Sequence, residues 1–186
     1  MEAELKTLFL IDLKGDLSLE FSKLVSMMNY TRVMTLEEVK QLTIEEVKQL
    51  TKEELDFLYD DDANSIGMLL AHMVAVEKAY QIETFHNRKV TDVEIAELNP
   101  ALELGGKARE QIRGNTIDFY INALVETRNE TIEKFKTLPD EWLFQQTPFW
   151  FDQPANNYFK WFHVFEDELN HRGQIRIIKK MLVKKD

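Results

Sequence analysis

The sequence predicts an all-α protein, a four-helix bundle with one long crossover connection. Three observations carry that expectation. Segments 17–30, 65–85, 116–137 and 158–182 each repeat apolar residues at three- and four-residue steps, the period of a helix with one buried face. No run of short alternating segments suggests a strand meander. The polar stretch 86–114 carries Pro100, the Gly105-Gly106 pair and Gly114; it is long enough for the third helix to start at either end of a bundle.

At 186 residues the chain is long enough for one domain, 1–186, with a real core, and 44% apolar with 30% charged residues is ordinary for a globular protein. The absence of cysteine excludes disulfides, thiolate metal ligands and a cysteine nucleophile, and is compatible with a cytoplasmic location. The first residues, MEAELKTLFLIDLKGD, are acidic and amphipathic where a secretory leader would be basic and then apolar. A net charge of −10 repels nucleic acid and anionic membranes unless a basic patch is segregated, so neither is expected as a partner. The one basic cluster, Arg172, Arg176, Lys179, Lys180, Lys184 and Lys185, reads as a solvated helix end whose cations complement the helix C-terminus.

The elements follow in order. Leu17, Phe21, Leu24 and Met28 define a first helix over 17–30, with 3–13 either its beginning or a separate turn. Residues 35–58 hold a short tandem repeat, TLEEVKQL, TIEEVKQL, TKEELDFL, in which each unit opens on Thr with Glu three positions on. That is a capping box written three times, so each unit is expected to start its own helical turn in a connector. Asn64 or Ser65 caps the second helix, whose first half is apolar almost all round and is therefore expected to be buried on several sides. Asn115 or Thr116 caps the third, and Pro139 stops it. The loop QQTPFWFDQPA, 145–155, is dense in aromatics; Phe149, Trp150 and Phe151 either plug the bundle end, the favoured reading, or line a pocket.

The candidate chemistry lies in the last helix. Val164, Glu168, His171, Ile175, Ile178 and Leu182 form its inward stripe, and His163, Asp167 and His171 follow the i, i+4, i+8 progression along one side. A carboxylate and an imidazole one turn apart suit a shared metal ion. His72 sits among Met68, Leu69, Ala75 and Val76 on the second helix. Alone it reads either as a satisfied core histidine or as a ligand; a second inward-facing histidine on another helix favours the ligand.

With these residues in place, AHMVAVEKAY around His72 and HVFEDELNHRGQIRIIKKML around Asp167 and His171 resemble the DinB-like family of four-helix metalloproteins, related to low-molecular-weight-thiol transferases. The resemblance covers most of the chain, and HRGQI is its most specific part. It implies one histidine from the second helix and a His-x-x-x-His pair from the fourth, holding zinc or nickel, with two helices running parallel through a long crossover. His72 and His171 match; Asp167 stands where the first histidine of the pair is usual. The implied metal set is therefore His72, Asp167 and His171, with iron or manganese as harder-ion alternatives and His163 as the competing third ligand. His163, Glu168 and Trp150 are then residues that either line the pocket or support the ligands from behind. The expected activity is metal-dependent transfer of a thiol of the bacillithiol or mycothiol kind to a small electrophile, by a homodimer. The alternatives are metal-dependent hydrolysis with Glu168 as base, and a non-catalytic metal- or ligand-binding bundle.

Overall fold

The computed structural model describes residues 7–40 and 49–182. Its helices are α1 (Leu19–Lys40), α2 (Lys52–Leu55), α3 (Ile66–Tyr80), α4 (Asp92–Glu103), α5 (Gly105–Gln111), α6 (Ile117–Phe135) and α7 (Asn157–Leu182). A π-helical turn, Gln81–Phe85, prolongs α3, and a small hairpin, β1 (Gln146–Pro148) with β2 (Pro154–Asn156), precedes α7. Among the described residues no helix is long and apolar enough to cross a membrane.

Four helices make the bundle, and their side-chain partners fix the directions. Glu20, Arg32 and Glu38 of α1 meet Tyr158, Glu168 and Arg176 of α7 in the same order, so those two run parallel. Gly67 and Glu77 of α3 meet Tyr120 and Thr131 of α6, again parallel, joined through the crossover that contains α4 and α5. His72 and Tyr80 of α3 meet His171 and His163 of α7 in reverse order, so the two pairs are antiparallel to each other. A long crossover is what a parallel neighbour requires, as the polar stretch anticipated.

The termini follow local chemistry. Ser65 Oγ accepts from Met68 N at 3.2 Å, Thr116 Oγ1 from Phe119 N at 3.3 Å, and Asn156 Oδ1 from Phe159 N at 2.8 Å, satisfying first-turn donors that lack intrahelical acceptors. Leu104 at φ 58° and Gly105 at φ 71° take left-handed backbone, which separates α4 from α5. Gly67 is required by packing: a Cβ there would lie 2.6 Å from the Tyr120 hydroxyl.

The repeat is read differently by the structure. Its first unit starts no new turn; α1 runs through it to Lys40. Thr35 is fully buried and its hydroxyl bonds back to the Thr31 carbonyl at 3.1 Å, while Val39 is fully buried in the core. The hydrophobic gain of burying Val39 against α3, α6 and α7 residues outweighs a local capping preference worth about 1 kcal/mol. The third unit behaves as its sequence implies, since Thr51 and Glu54 form a reciprocal capping box before α2. Most of the second unit lies outside the described residues.

The core has two apolar clusters separated along the bundle. One is built on Phe21, Leu24, Met28, Phe135, Trp142 and Trp161; the other on Val39, Leu69, Leu70, Leu124, Ile175 and Ile178. Between them lies a charged layer with one residue from each bundle helix: Arg32 of α1, Glu77 of α3, Arg128 of α6 and Glu168 of α7, all at most 5% exposed. Arg32 Nε and Nη2 reach Glu168 at 3.0 and 3.1 Å, and Nη2 also reaches Glu77 at 3.1 Å. Arg128 Nε and Nη2 bond Glu77 at 2.8 and 3.1 Å, and Thr131 Oγ1 adds a bond to Glu77 at 2.7 Å. The layer is neutral and its donors are matched to acceptors, the condition under which buried charge is tolerable. Burial opposes ionisation of Glu77, yet Arg128 and Arg32 outweigh it and hold the carboxyl below its ordinary range.

Candidate metal centre

His72 lies in the middle of α3 and Asp167 and His171 one turn apart on α7, and antiparallel packing of these helices brings the three together. One ligand-capable atom from each lies within 4.8 Å of the others. The His72 and His171 rings approach edge-on with centroids 4.6 Å apart. His72 Nε2 is 3.5 Å from Asp167 Oδ2, and His171 Nε2 is 3.4 Å from Asp167 Oδ1. The side chains keep 12, 16 and 12% of their exposure in the order His72, Asp167, His171, so the cluster is largely shielded but not sealed from solvent.

The outward nitrogens set the chemistry of the inward ones. His72 Nδ1 is 2.8 Å from the Ala101 carbonyl of α4, which only accepts, so Nδ1 carries the hydrogen and Nε2 of the neutral ring presents a lone pair. His171 Nδ1 lies 3.1 Å from Gln174 Oε1, one turn on, with the same result. Two nitrogen lone pairs and a carboxylate therefore converge, an arrangement that repels itself unless a cation sits among them. The buried Asp167 Oδ2 has no hydrogen-bond partner. The separations also fit an ion, because tetrahedral ligands about 2.1 Å from a zinc-sized ion stand about 3.4 Å from one another. A hydrogen bond would be shorter.

Without an ion, protons fill that role. Burial opposes ionisation of Asp167, but the His171 and His72 imidazoles outweigh it and hold the carboxyl well below the usual carboxylate range. Burial likewise opposes a charged His171, and Asp167 outweighs it, raising the imidazole above its ordinary value. Two nitrogens and one oxygen suit a borderline divalent ion.

Residues 24–182 match the family model described as Mycothiol-S-transferase, which takes in the cluster and, apart from the first turn of α1, all four bundle helices. The chain belongs to the mycothiol S-transferase family. No curated protein matches it. This is a DinB-like family related to thiol transferases, in accord with the resemblance carried by His72 and HRGQI.

In this mycothiol S-transferase family member the remaining expected site residues divide. Glu168 is 1% exposed, and its oxygens are held by Arg32 and Arg128 in the charged layer. Those bonds occupy the carboxylate that hydrolysis would use as a base. Its place in the inward stripe was the signal; a glutamate at core spacing needs buried cations, and Arg128, on the apolar face of α6, was one.

His163 stands one turn before Asp167 and outside the cluster. Its Nδ1 is 3.3 Å from the Tyr80 hydroxyl, and Trp150 meets its ring edge-on at 5.1 Å. Burial, then the charges of Glu83 and Asp167, push the Tyr80 phenol up, so it keeps its proton. Phe149 packs on the core while Trp150 and Phe151 are exposed, at 59 and 93%. Of the three loop aromatics expected to plug the bundle end, only Phe149 does so. With Phe159, Gln146, Gln153 and Asn156, Phe149 and Trp150 instead line a groove of about 440 Å³. Lys160, itself buried, bonds Thr147 Oγ1 at 2.8 Å and pairs with Glu83 at 3.5 Å, fixing the hairpin to the π-helical turn. Neither the π-helical turn nor the hairpin was visible in the sequence pattern.

Proposed function

We propose that the protein is a metal-dependent S-transferase that joins a low-molecular-weight thiol, of the mycothiol or bacillithiol class, to a small electrophile. The observation that carries this reading is the set of three acceptor atoms from His72, Asp167 and His171, turned inward by the bonds their outward nitrogens make. Family membership supports the thiol-transfer class. A divalent ion held by these residues would act as a Lewis acid that lowers the pKa of a thiol bound to it.

The chain's own residues supply the rest. Ala101 and Gln174 hold the two rings in the lone-pair-inward tautomer, which removes reorganisation from ion binding. Asp167 contributes the negative charge that offsets the ion in a largely water-excluded setting. The aromatic side chains of the hairpin loop give an apolar wall on which an electrophile can rest. With Glu168 bound in the charged layer, the hydrolytic alternative loses its base, and thiol transfer is the reading retained.

The test is a conjugation assay with zinc- or nickel-loaded protein, mycothiol and bacillithiol in turn, and a panel of electrophiles followed by mass spectrometry. A thioether product that requires the ion and disappears in His72→Ala supports the proposal. Ion-dependent cleavage of esters or amides with no conjugate formed would overturn it.

A further inference from the structure

Beside the cluster stands a second group of side chains that metal binding does not use. His163 lies one turn before Asp167 on α7; its Nδ1 faces the Tyr80 hydroxyl of α3, and Trp150 of the hairpin loop covers one side of its ring. Tyr80 is 8% exposed, in contact with Phe149 at 6.3 Å between ring centroids, and makes no other side-chain hydrogen bond among the described residues. The acceptor it faces among the described residues is His163 Nδ1, at 3.3 Å, so a hydroxyl that donates within the protein donates there. That places the hydrogen of the neutral imidazole on Nε2. His163 Nε2 has no protein partner among the described residues, and the ring is only partly buried.

We propose that His163, held in the Nε2–H tautomer by Tyr80, is the hydrogen-bond donor to the oxygen of an oxygen-bearing electrophile, an epoxide or an enone, during thiol transfer. The inference rests on the transferase reading above and adds the acceptor's class to it. As the thiolate sulfur bonds to the electrophilic carbon, the carbon–oxygen bond of an epoxide breaks and its electron pair goes to oxygen. The negative charge grows beside Nε2–H, and the oxygen then takes up one proton from solvent, equal to the one lost when the thiol ionised. The sum is thiol plus epoxide giving hydroxy-thioether, with nothing oxidised or reduced overall. A fixed neutral N–H in a site walled by Trp150 and Phe149 is the kind of donor that acts on developing charge without reorganising. Tyr80 is a positioning residue, acting only through the imidazole.

Two measurements test this. Nitrogen-15 NMR of the imidazoles should show His163 protonated at Nε2 in the wild type, with that preference lost in Tyr80→Phe; an Nδ1–H tautomer in the wild type overturns the proposal without any assay of activity. In the conjugation assay, zinc-loaded His163→Ala should lose about a hundredfold in kcat/KM with an aryl epoxide, the scale of one removed oxyanion donor, while a matched benzylic iodide, whose leaving group needs no donor, stays within about threefold. Tyr80→Phe should show the same selectivity at a smaller size. Equal loss with both acceptors would mean that His163 only supports the fold, and no loss with either would mean that it plays no part; both overturn the donor role. A wild type that conjugates neither acceptor defeats the transferase reading instead, and the donor role with it.

Discussion

Asp167 and Glu168 are neighbours in sequence with opposite assignments, and replacing each by its amide separates them. Glu168 is 1% exposed and accepts from Arg32 Nε at 3.0 Å, Arg32 Nη2 at 3.1 Å and Arg128 Nη2 at 3.4 Å. Glu168→Gln keeps the shape but leaves two buried guanidiniums facing the single carboxylate of Glu77. Breaking a buried pair from one side costs about 3–5 kcal/mol. At about 2–4 °C per kcal/mol for a chain of this size, the melting temperature should fall by about 6–20 °C. Asp167→Asn removes two contacts of 3.4 and 3.5 Å at a partly open site, and should cost less than half as much. Urea and thermal unfolding followed by circular dichroism, with a chelator present so that bound metal adds no stability, gives both values. A loss below about 1 kcal/mol for Glu168→Gln, the worth of an exposed pair, would refute the buried-layer argument. So would equal losses for the two variants.

Other predictions concern pH, packing and assembly. His171 is raised above its ordinary value by Asp167, so in the metal-free protein its contribution to stability is full below about pH 6.5 and is lost as pH rises through the folded-state value. Asp167 is depressed, so its contribution is full above about pH 4 and is lost as pH falls through its folded-state value. Metal competes with the His171 proton, so affinity measured by calorimetry should already decline above pH 6.5 as pH drops, and a decline confined to pH below 5 would contradict this. Gly67→Ala should destabilise by about 1–3 kcal/mol through its clash with Tyr120, and Tyr120→Phe in the same chain should recover part of that in urea titrations. We also propose a homodimer that covers the exposed Trp150, Phe151 and Phe159; light scattering should give twice the chain mass, and a monomeric mass rejects it.

How far the sequence could be read depends on whether each signal was local. The period of α3, α6 and α7, the caps at Ser65 and Thr116 and the stop at Pro139 are local, and each was legible before the fold was known. Thr35 shows where a local signal loses: its capping box is complete in sequence, but Val39 four residues on belongs to the core and the helix continues through it. His72 and His171 were recognisable as polar residues on apolar stripes, which buried groups occupy only with partners. The same logic applied to Glu168 and Arg128 would have revealed the charged layer, yet it required knowing that four helices meet at one level. The π-helical turn and the hairpin have no periodic signature, so the groove beside Trp150 emerged only from the fold.

The most direct test of the central claim is the metal stoichiometry of the purified protein and four single variants, by elemental analysis and calorimetric titration at pH 7.5. The wild type should bind one divalent ion per chain; His72→Ala and His171→Ala should bind none, Asp167→Asn should lose most of its affinity, and His163→Ala should bind as the wild type does. A wild type that takes up no ion, or an Asp167→Asn variant that keeps it while His163→Ala loses it, would contradict the centre described here.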